Sequence, residues 1–182
     1  MYELIILSLL MSGKAHGYLI IKTMNDFAGP YLKFSHGRLY PLLSQLEKEG
    51  FVVGSNEVSG GQTGKRPLRS FEITHSGRKR FHELMMDTIS NLGEYQKLFL
   101  HKVQAMEHLE SAERLSLFDH YINFCQAHVL YLTAKIEEIR RHQQDGMGLS
   151  RFNVLIKVMR HMADQWRLEL DWATQLREEE LV

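Results

Sequence analysis

The chain has one cysteine and three prolines in 182 residues, and no net formal charge. With Cys125 alone, an intramolecular disulfide is excluded, and a reducing cytoplasm is the simplest setting. Long apolar runs are missing as well. The nearest approach, LIILSLLM from Leu4 to Met11, is too short to cross a bilayer, follows Glu3, and lacks the basic flank and cleavage site of a signal peptide. It reads as a first core helix. Catalytic signatures are absent: there is no HExxH and no GxSxG. The segment GGQTGKR looks like a phosphate-binding loop, but that pattern needs glycine where Ser59 stands and Ser or Thr where Arg66 stands, which argues against nucleotide binding there.

What is present is 44% hydrophobic residues, ample for the core of one moderate domain or two small ones. The zero charge conceals a division. Residues 1–80 carry 11 Lys and Arg against 6 Asp and Glu, whereas residues 81–182 carry 11 against 16. This asymmetry points to a polyanion-facing module at 1–80 joined to a different one at 81–182.

Periodicity gives the first module an order of elements. A helix over Tyr2–Met11 ends near Ser12 and Gly13, and a second begins around His16, buries Ile20, Met24 and Phe27, and stops at Gly29 and Pro30. In SHGRLYPLLSQLEKEG, Leu39, Leu42, Leu43 and Leu46 recur at helical spacing, with Arg38, Pro41, Gln45 and Lys48 on the opposite face. Ser35 can cap this third helix and Gly50 can close it in a left-handed conformation. Pro41 lies beyond the first turn, removes the hydrogen bond to the Gly37 carbonyl, and predicts a local kink. Then FVVGSNEV and LRSFEI read as two strands around a tip containing Gly60, Gly61 and Gly64, with Phe71 and Ile73 inward and Ser70 and Glu72 outward. Thr74 offers a cap to HSGRKRF, which brings Arg78, Lys79 and Arg80 near the hairpin. Helix, helix, helix, hairpin is winged-helix order, and the third helix is the recognition candidate.

From Phe81 onward the chain reads as helical. Leu115, Phe118, Ile122, Cys125, Val129, Leu132, Ile136 and Ile139 alternate spacings of 3 and 4, a heptad seam. Asp145, Gly146 and Gly148 break it, Ser150 can cap the next helix, and Phe152, Leu155, Met159, Met162, Trp166, Leu170, Ala173 and Leu176 form a looser stripe. Either stripe can face its own core or a second subunit. The dimer reading has support from the first module, because a two-fold dimer places two recognition helices about 34 Å apart, matching a palindrome. The expected fold is therefore mainly α with a small β-hairpin: a winged helix-turn-helix DNA-binding domain at 1–80 and an α-helical dimerisation and effector domain at 81–182. Its dimer contacts are expected at Leu115, Phe118, Ile122, Val129, Leu132, Ile136, Met162 and Trp166.

HGYLI from His16 to Ile20, GRLYPLLSQLEKEGFV beginning at Gly37, and FEITHSGR from Phe71 to Arg78 after a GK-R-P tip together resemble the PadR family of transcriptional regulators, in its longer, AphA-like subgroup. The resemblance implies a cytoplasmic homodimeric repressor without enzymatic activity or cofactor, relieved by a small aromatic or phenolic effector. By motif, Tyr18, Ser35, Arg38, Tyr40 and Pro41 fall where relatives approach DNA, and Lys65 and Arg66 fall on the wing. Arg38 departs from the small or uncharged residue common there. It can meet guanine in the major groove or a phosphate. Lys65 and Arg66 would neutralise phosphates, unless they merely decorate a solvated turn. Tyr18 and Tyr40 can instead be packing residues. Met159, Met162, Trp166 and Trp172 offer flat and deformable walls for an effector, against the plainer reading of core or dimer packing. Cys125 and His128 share a helix face, but no third metal ligand has recognisable spacing, and no metal is expected. The rival readings are a winged-helix protein-interaction module that prefers no duplex sequence, and a small metal-dependent enzyme.

Overall fold

The computed structural model describes residues 1–28, 34–57, 68–141 and 149–181. Two compact units divide between His108 and Leu109, whereas the expected boundary after residue 80 falls within a helix that packs with the first unit.

In the first unit the elements run α1 (Tyr2–Met11), β1 (Ala15–His16), α2 (Gly17–Ala28), α3 (His36–Lys48), β2 (Val52–Glu57), β3 (Leu68–Ile73), α4 (His75–Met86) and α5 (Tyr95–Gln104). α1 is the apolar run at the N-terminus, and Leu4, Ile5, Ile6, Leu7 and Leu10 are all buried. Its Glu3 meets α4: Arg80 donates from Nε and Nη2 to the two carboxylate oxygens at 2.8 and 3.2 Å. Ile20 and Met24 of α2 are buried. The Phe27 side chain and the Gly29–Pro30 stop lie outside the described residues. α3 starts after Ser35 as its sequence indicates, yet the Ser35 hydroxyl makes no capping bond; its carbonyl accepts from Arg38 and Leu39 N–H instead. The far end closes as expected. Gly50 has φ +76°, its N–H donates to Glu47 O at 3.0 Å, and Phe51 N–H reaches back to Leu46 O at 2.9 Å, a Schellman pair.

The hairpin gains a strand that periodicity did not reveal. β1 pairs antiparallel with β3, so the order is β1-β3-β2 and β3 is central. His16 accordingly belongs to β1, and α2 begins one residue later. Central placement corrects the expectation for Ser70, which is fully buried between His16 and Ser55, its hydroxyl 3.1 Å from that of Ser55. Phe71 and Ile73 are buried and Glu72 is exposed, as the alternation requires.

β3 runs into α4 through Thr74, whose hydroxyl accepts the Gly77 N–H at 3.0 Å. Next along the chain, Lys102 of α5 is 0% exposed; its Nζ donates to Asp87 O at 2.5 Å and lies 5.7 Å from the centroid of the Tyr95 ring.

The second unit is an antiparallel helix pair, α6 (Ser111–Arg141) and α7 (Leu149–Glu180). Its ties are Tyr121 Oη to Glu169 Oε2 at 2.7 Å, Arg114 to Glu180 at 2.7 Å, and an apolar cluster of Ile136, Phe152 and Ile156 with Ile139 and Met159 against it. The expected seam is rotated. Phe118, Cys125, Leu132 and Ile136 are buried, but Leu115, Ile122 and Val129 are only half-buried, while Leu117 and Tyr121, outside the seam, are fully buried. Asp145, Gly146 and Gly148 lie outside the described residues, and Ser150 falls inside α7.

Two outcomes follow for stability. A Cβ at Gly77 would overlap the Phe51 carbonyl oxygen, so Gly77→Ala should destabilise by about 2–3 kcal/mol despite the gain of roughly 1 kcal/mol in helix propensity; denaturant unfolding reads the sign. Burial lowers the Lys102 pKa from 10.5 to about 8. Between those values the unfolded chain holds a proton that the folded one lacks, so stability should rise with pH across that window, by about 3 kcal/mol relative to Lys102→Met. Parallel unfolding curves for the two proteins from pH 8 to 10.5 would contradict this.

Candidate nucleic-acid interface

α3 turns Leu39, Leu43 and Leu46 into the core, with Leu42 half-buried, and leaves Ser35, Arg38, Pro41, Gln45 and Lys48 exposed. Pro41 is retained inside the helix. The Arg38 guanidinium has no partner among the described residues, so a donor fork is held exposed at the start of α3. Gln45 is tied within the helix to Glu49, at 3.0 Å.

Tyr18 and Tyr40 have opposite circumstances. Tyr18 is 69% exposed, which removes the packing alternative for it. Tyr40 is 40% exposed and lies between His36, at 6.2 Å between ring centroids, and the first residue of α2. A Cβ at Gly17 would sit 3.1 Å from the Tyr40 hydroxyl. Glycine in the HGY segment thus gives Tyr40 its place, a role that helical periodicity could not expose because it joins two helices.

Of the three cations after the hairpin, Arg80 is engaged by Glu3, Arg78 lies 3.5 Å from Met11 sulfur, and Lys79 is exposed. Lys65 and Arg66 lie outside the described residues. The structure therefore brings together Tyr18, Ser35, Arg38, Tyr40 and Pro41 around α2 and α3, and leaves the wing-tip expectation where the sequence put it.

In the helix pair, Trp166 stacks on His128 with centroids 4.1 Å apart and meets Phe124 edge-on at 5.5 Å. His128 Nδ1 is 2.9 Å from Phe124 O, and Cys125 is buried beside Tyr121, burial pushing its thiol up to about 12. His128 and Cys125 thus make separate contacts. Met159 belongs to the apolar cluster, and Met162 is exposed. Two grooves along the pair are lined by residues such as Arg140, Phe152 and Arg160, and neither lining includes Met159, Met162, Trp166 or Trp172. Among the described residues no helix is long and apolar enough to cross a membrane, and no group of three His, Cys, Asp or Glu is placed to hold a metal.

Three helices, a two-stranded wing and an exposed polar face on the third helix define a winged helix-turn-helix domain. Residues 6–83 match the transcriptional regulator PadR-like family, so the chain carries a PadR-like domain. No curated protein matches the chain. Among solved structures it is similar to Bacillus subtilis PadR in complex with operator DNA, at 20% identity over 98% of this chain and 96% of that one, with a TM-score of 0.41. It is similar also to Bacillus subtilis PadR in complex with p-coumaric acid, at 19% identity over 99% and 98%, TM-score 0.37. A PadR-like transcriptional regulator from Bacillus cereus gives 20% identity over 99% and 98%, TM-score 0.38.

Gly17→Ala should move the half-exposed Tyr40 ring while changing stability by less than about 1 kcal/mol, since the ring has room to yield. NMR resonances of the Tyr40 ring report the displacement. Unmoved resonances would show that Gly17 does not set the ring's position.

Proposed function

We propose that the chain binds a palindromic operator as a homodimer and represses transcription until a small aromatic or phenolic effector releases it, in a reducing cytoplasm. The observation that carries this reading is the two-faced α3 of a PadR-like domain, with its leucines in the core and Arg38 exposed, without a partner among the described residues. Arg38 is suited to donate two hydrogen bonds to guanine, worth about 1–3 kcal/mol of discrimination, or to hold a phosphate. Ser35 and Tyr40 supply hydroxyls for phosphate oxygens, Tyr18 an exposed phenol, and Pro41 a close apolar approach. Lys65 and Arg66 add phosphate neutralisation, which strengthens binding without selecting sequence.

Dimerisation is assigned to α6 and α7. Val154, Val158 and Met162 repeat every four residues along α7 and are 56%, 50% and 43% exposed. A second copy would remove this stripe from water, and half-buried Leu115, Ile122, Val129 and Trp166 are further candidates for its contact. Phe118, Leu132 and Ile136 are already buried within the chain and contribute by holding the helix rather than by touching the partner. An effector would bear on Trp166, with Met162 and Trp172 as the remaining candidates; Met159 is committed to the apolar cluster. Release requires that the effector bind one dimer conformation better than the other.

Selection of bound duplexes from a random DNA pool tests the reading, with a palindromic consensus expected. The double substitution Lys65→Ala, Arg66→Ala should weaken all duplexes alike and reduce the slope of log affinity against log salt by up to about 2. An unchanged slope would remove both residues from the phosphate contacts.

A further inference from the structure

The recognition helix is fastened to the base of the wing by one carboxylate. Glu47, in the last turn of α3, receives three donations: Arg69 Nη2 reaches Oε1 at 2.7 Å and Oε2 at 2.9 Å, and the Gly54 N–H reaches Oε1 at 2.9 Å. Gly54 is on β2 and Arg69 on β3, so a single side chain of α3 holds both strands. Arg69 is steadied from its other side, its guanidinium carbon 5.2 Å from the centroid of the Phe71 ring. The clamp as it stands also leaves no room for a side chain at position 54. A Cβ at position 54 would lie 2.5 Å from Glu47 Oε1 and 2.8 Å from Arg69 Nε.

We infer that Glu47, Arg69 and Gly54 form a clamp that fixes the angle between recognition helix and wing, and that this angle contributes to duplex discrimination. The inference rests on the DNA-binding reading for its consequence but not for its geometry. In the register of the hairpin Gly54 faces Phe71 and Asn56 faces Arg69, so the clamp holds the inner half of β2 and the outer half of β3. Charge-assisted hydrogen bonds resist a change in the angle between helix and wing better than apolar contact does, because they are directional as well as strong. The clamp also withholds a cation. Arg69 stands near a surface expected to meet phosphates, yet its charge is met by Glu47, so it holds position instead of adding nonspecific attraction. These are positioning residues that act through the elements they join.

The test uses the full chain with Glu47→Ala, Arg69→Met and the double variant. Without DNA, Glu47→Ala should speed exchange of the Gly54 amide at least about tenfold while amides of α1 stay protected, which separates loosening of the wing from unfolding. With DNA, each single variant should lose about tenfold in preference for the selected duplex over a scrambled one, and the double variant should lose no more than either alone. Glu47→Ala alone should steepen the salt dependence, by up to about one in slope, since it frees Arg69 for phosphate. Unchanged Gly54 exchange overturns the clamp whatever DNA does. Altered exchange with undiminished preference, or losses that add, overturns its role in discrimination. A wild-type protein with no duplex preference refutes the DNA-binding reading and with it that role, while the exchange result still decides whether the clamp exists.

Discussion

The first unit turns on the meeting of Gly50 and Phe51 with Thr74, Ser76 and Gly77. Here the end of α3, the base of the wing and the start of α4 share the same few polar atoms. The Phe51 carbonyl accepts Thr74 N–H at 3.0 Å, the Gly50 carbonyl accepts the Ser76 hydroxyl at 2.7 Å, and the Thr74 hydroxyl lies 2.6 Å from that same carbonyl oxygen while accepting Gly77 N–H. Two helix ends leave unpaired carbonyls and N–H groups. Each end supplies what the other lacks. The close approach of Gly77 to Phe51 is the steric condition for the arrangement, and Gly50 is its conformational condition. The motif THSG is therefore legible as chemistry: a capping hydroxyl, a spacer, a hydroxyl for the neighbouring turn, and a residue with no side chain.

With its C-terminal end held there, α3 cannot rotate to bury its polar side. Leu39, Leu43 and Leu46 fix its roll, and the exposed face follows from that constraint rather than from any preference of Arg38 for water. Charge in the first eighty residues is also more discriminating than a count implies. Arg80 is paired with Glu3 and Arg69 with Glu47, so these two cations stabilise the scaffold. Such half-exposed pairs add modestly to stability, roughly 1 kcal/mol or less each. Their larger effect is to decide where positive charge is left unpaired.

Much of this unit was readable in advance because its signals are local. α1 spans the residues its apolar run marked, Thr74 caps α4, and Gly50 adopts the left-handed conformation that helix closure requires. What escaped involves partners distant in sequence. β1 is two residues long and exists only because β3 offers an edge, and the same pairing makes Ser70 a buried residue in a position that alternation marks as outward. Gly17 beneath Tyr40, and Glu47 reaching Gly54 and Arg69, join residues from seven to twenty-three apart. Lys102 was invisible for another reason: lysine is almost never fully buried, and the Asp87 carbonyl that accepts from its Nζ, with the Tyr95 ring nearby, makes the exception tolerable.

The helix pair shows where periodicity reaches its limit. Spacing of 3 and 4 established that α6 carries an apolar stripe, but a stripe has two margins, and spacing does not say which one a neighbour covers. Tyr121 decides it, because burying its ring demands a partner for its hydroxyl, and Glu169 of α7 provides one at 2.7 Å. Seating Tyr121 draws α6 round so that Leu117 enters and Leu115, Ile122 and Val129 are left at the margin. Each of two paired helices covers only one side of the other. A pair of more than thirty residues each, tied by Tyr121–Glu169 and Arg114–Glu180 and still presenting Val154, Val158 and Met162 to water, has the form of half a bundle.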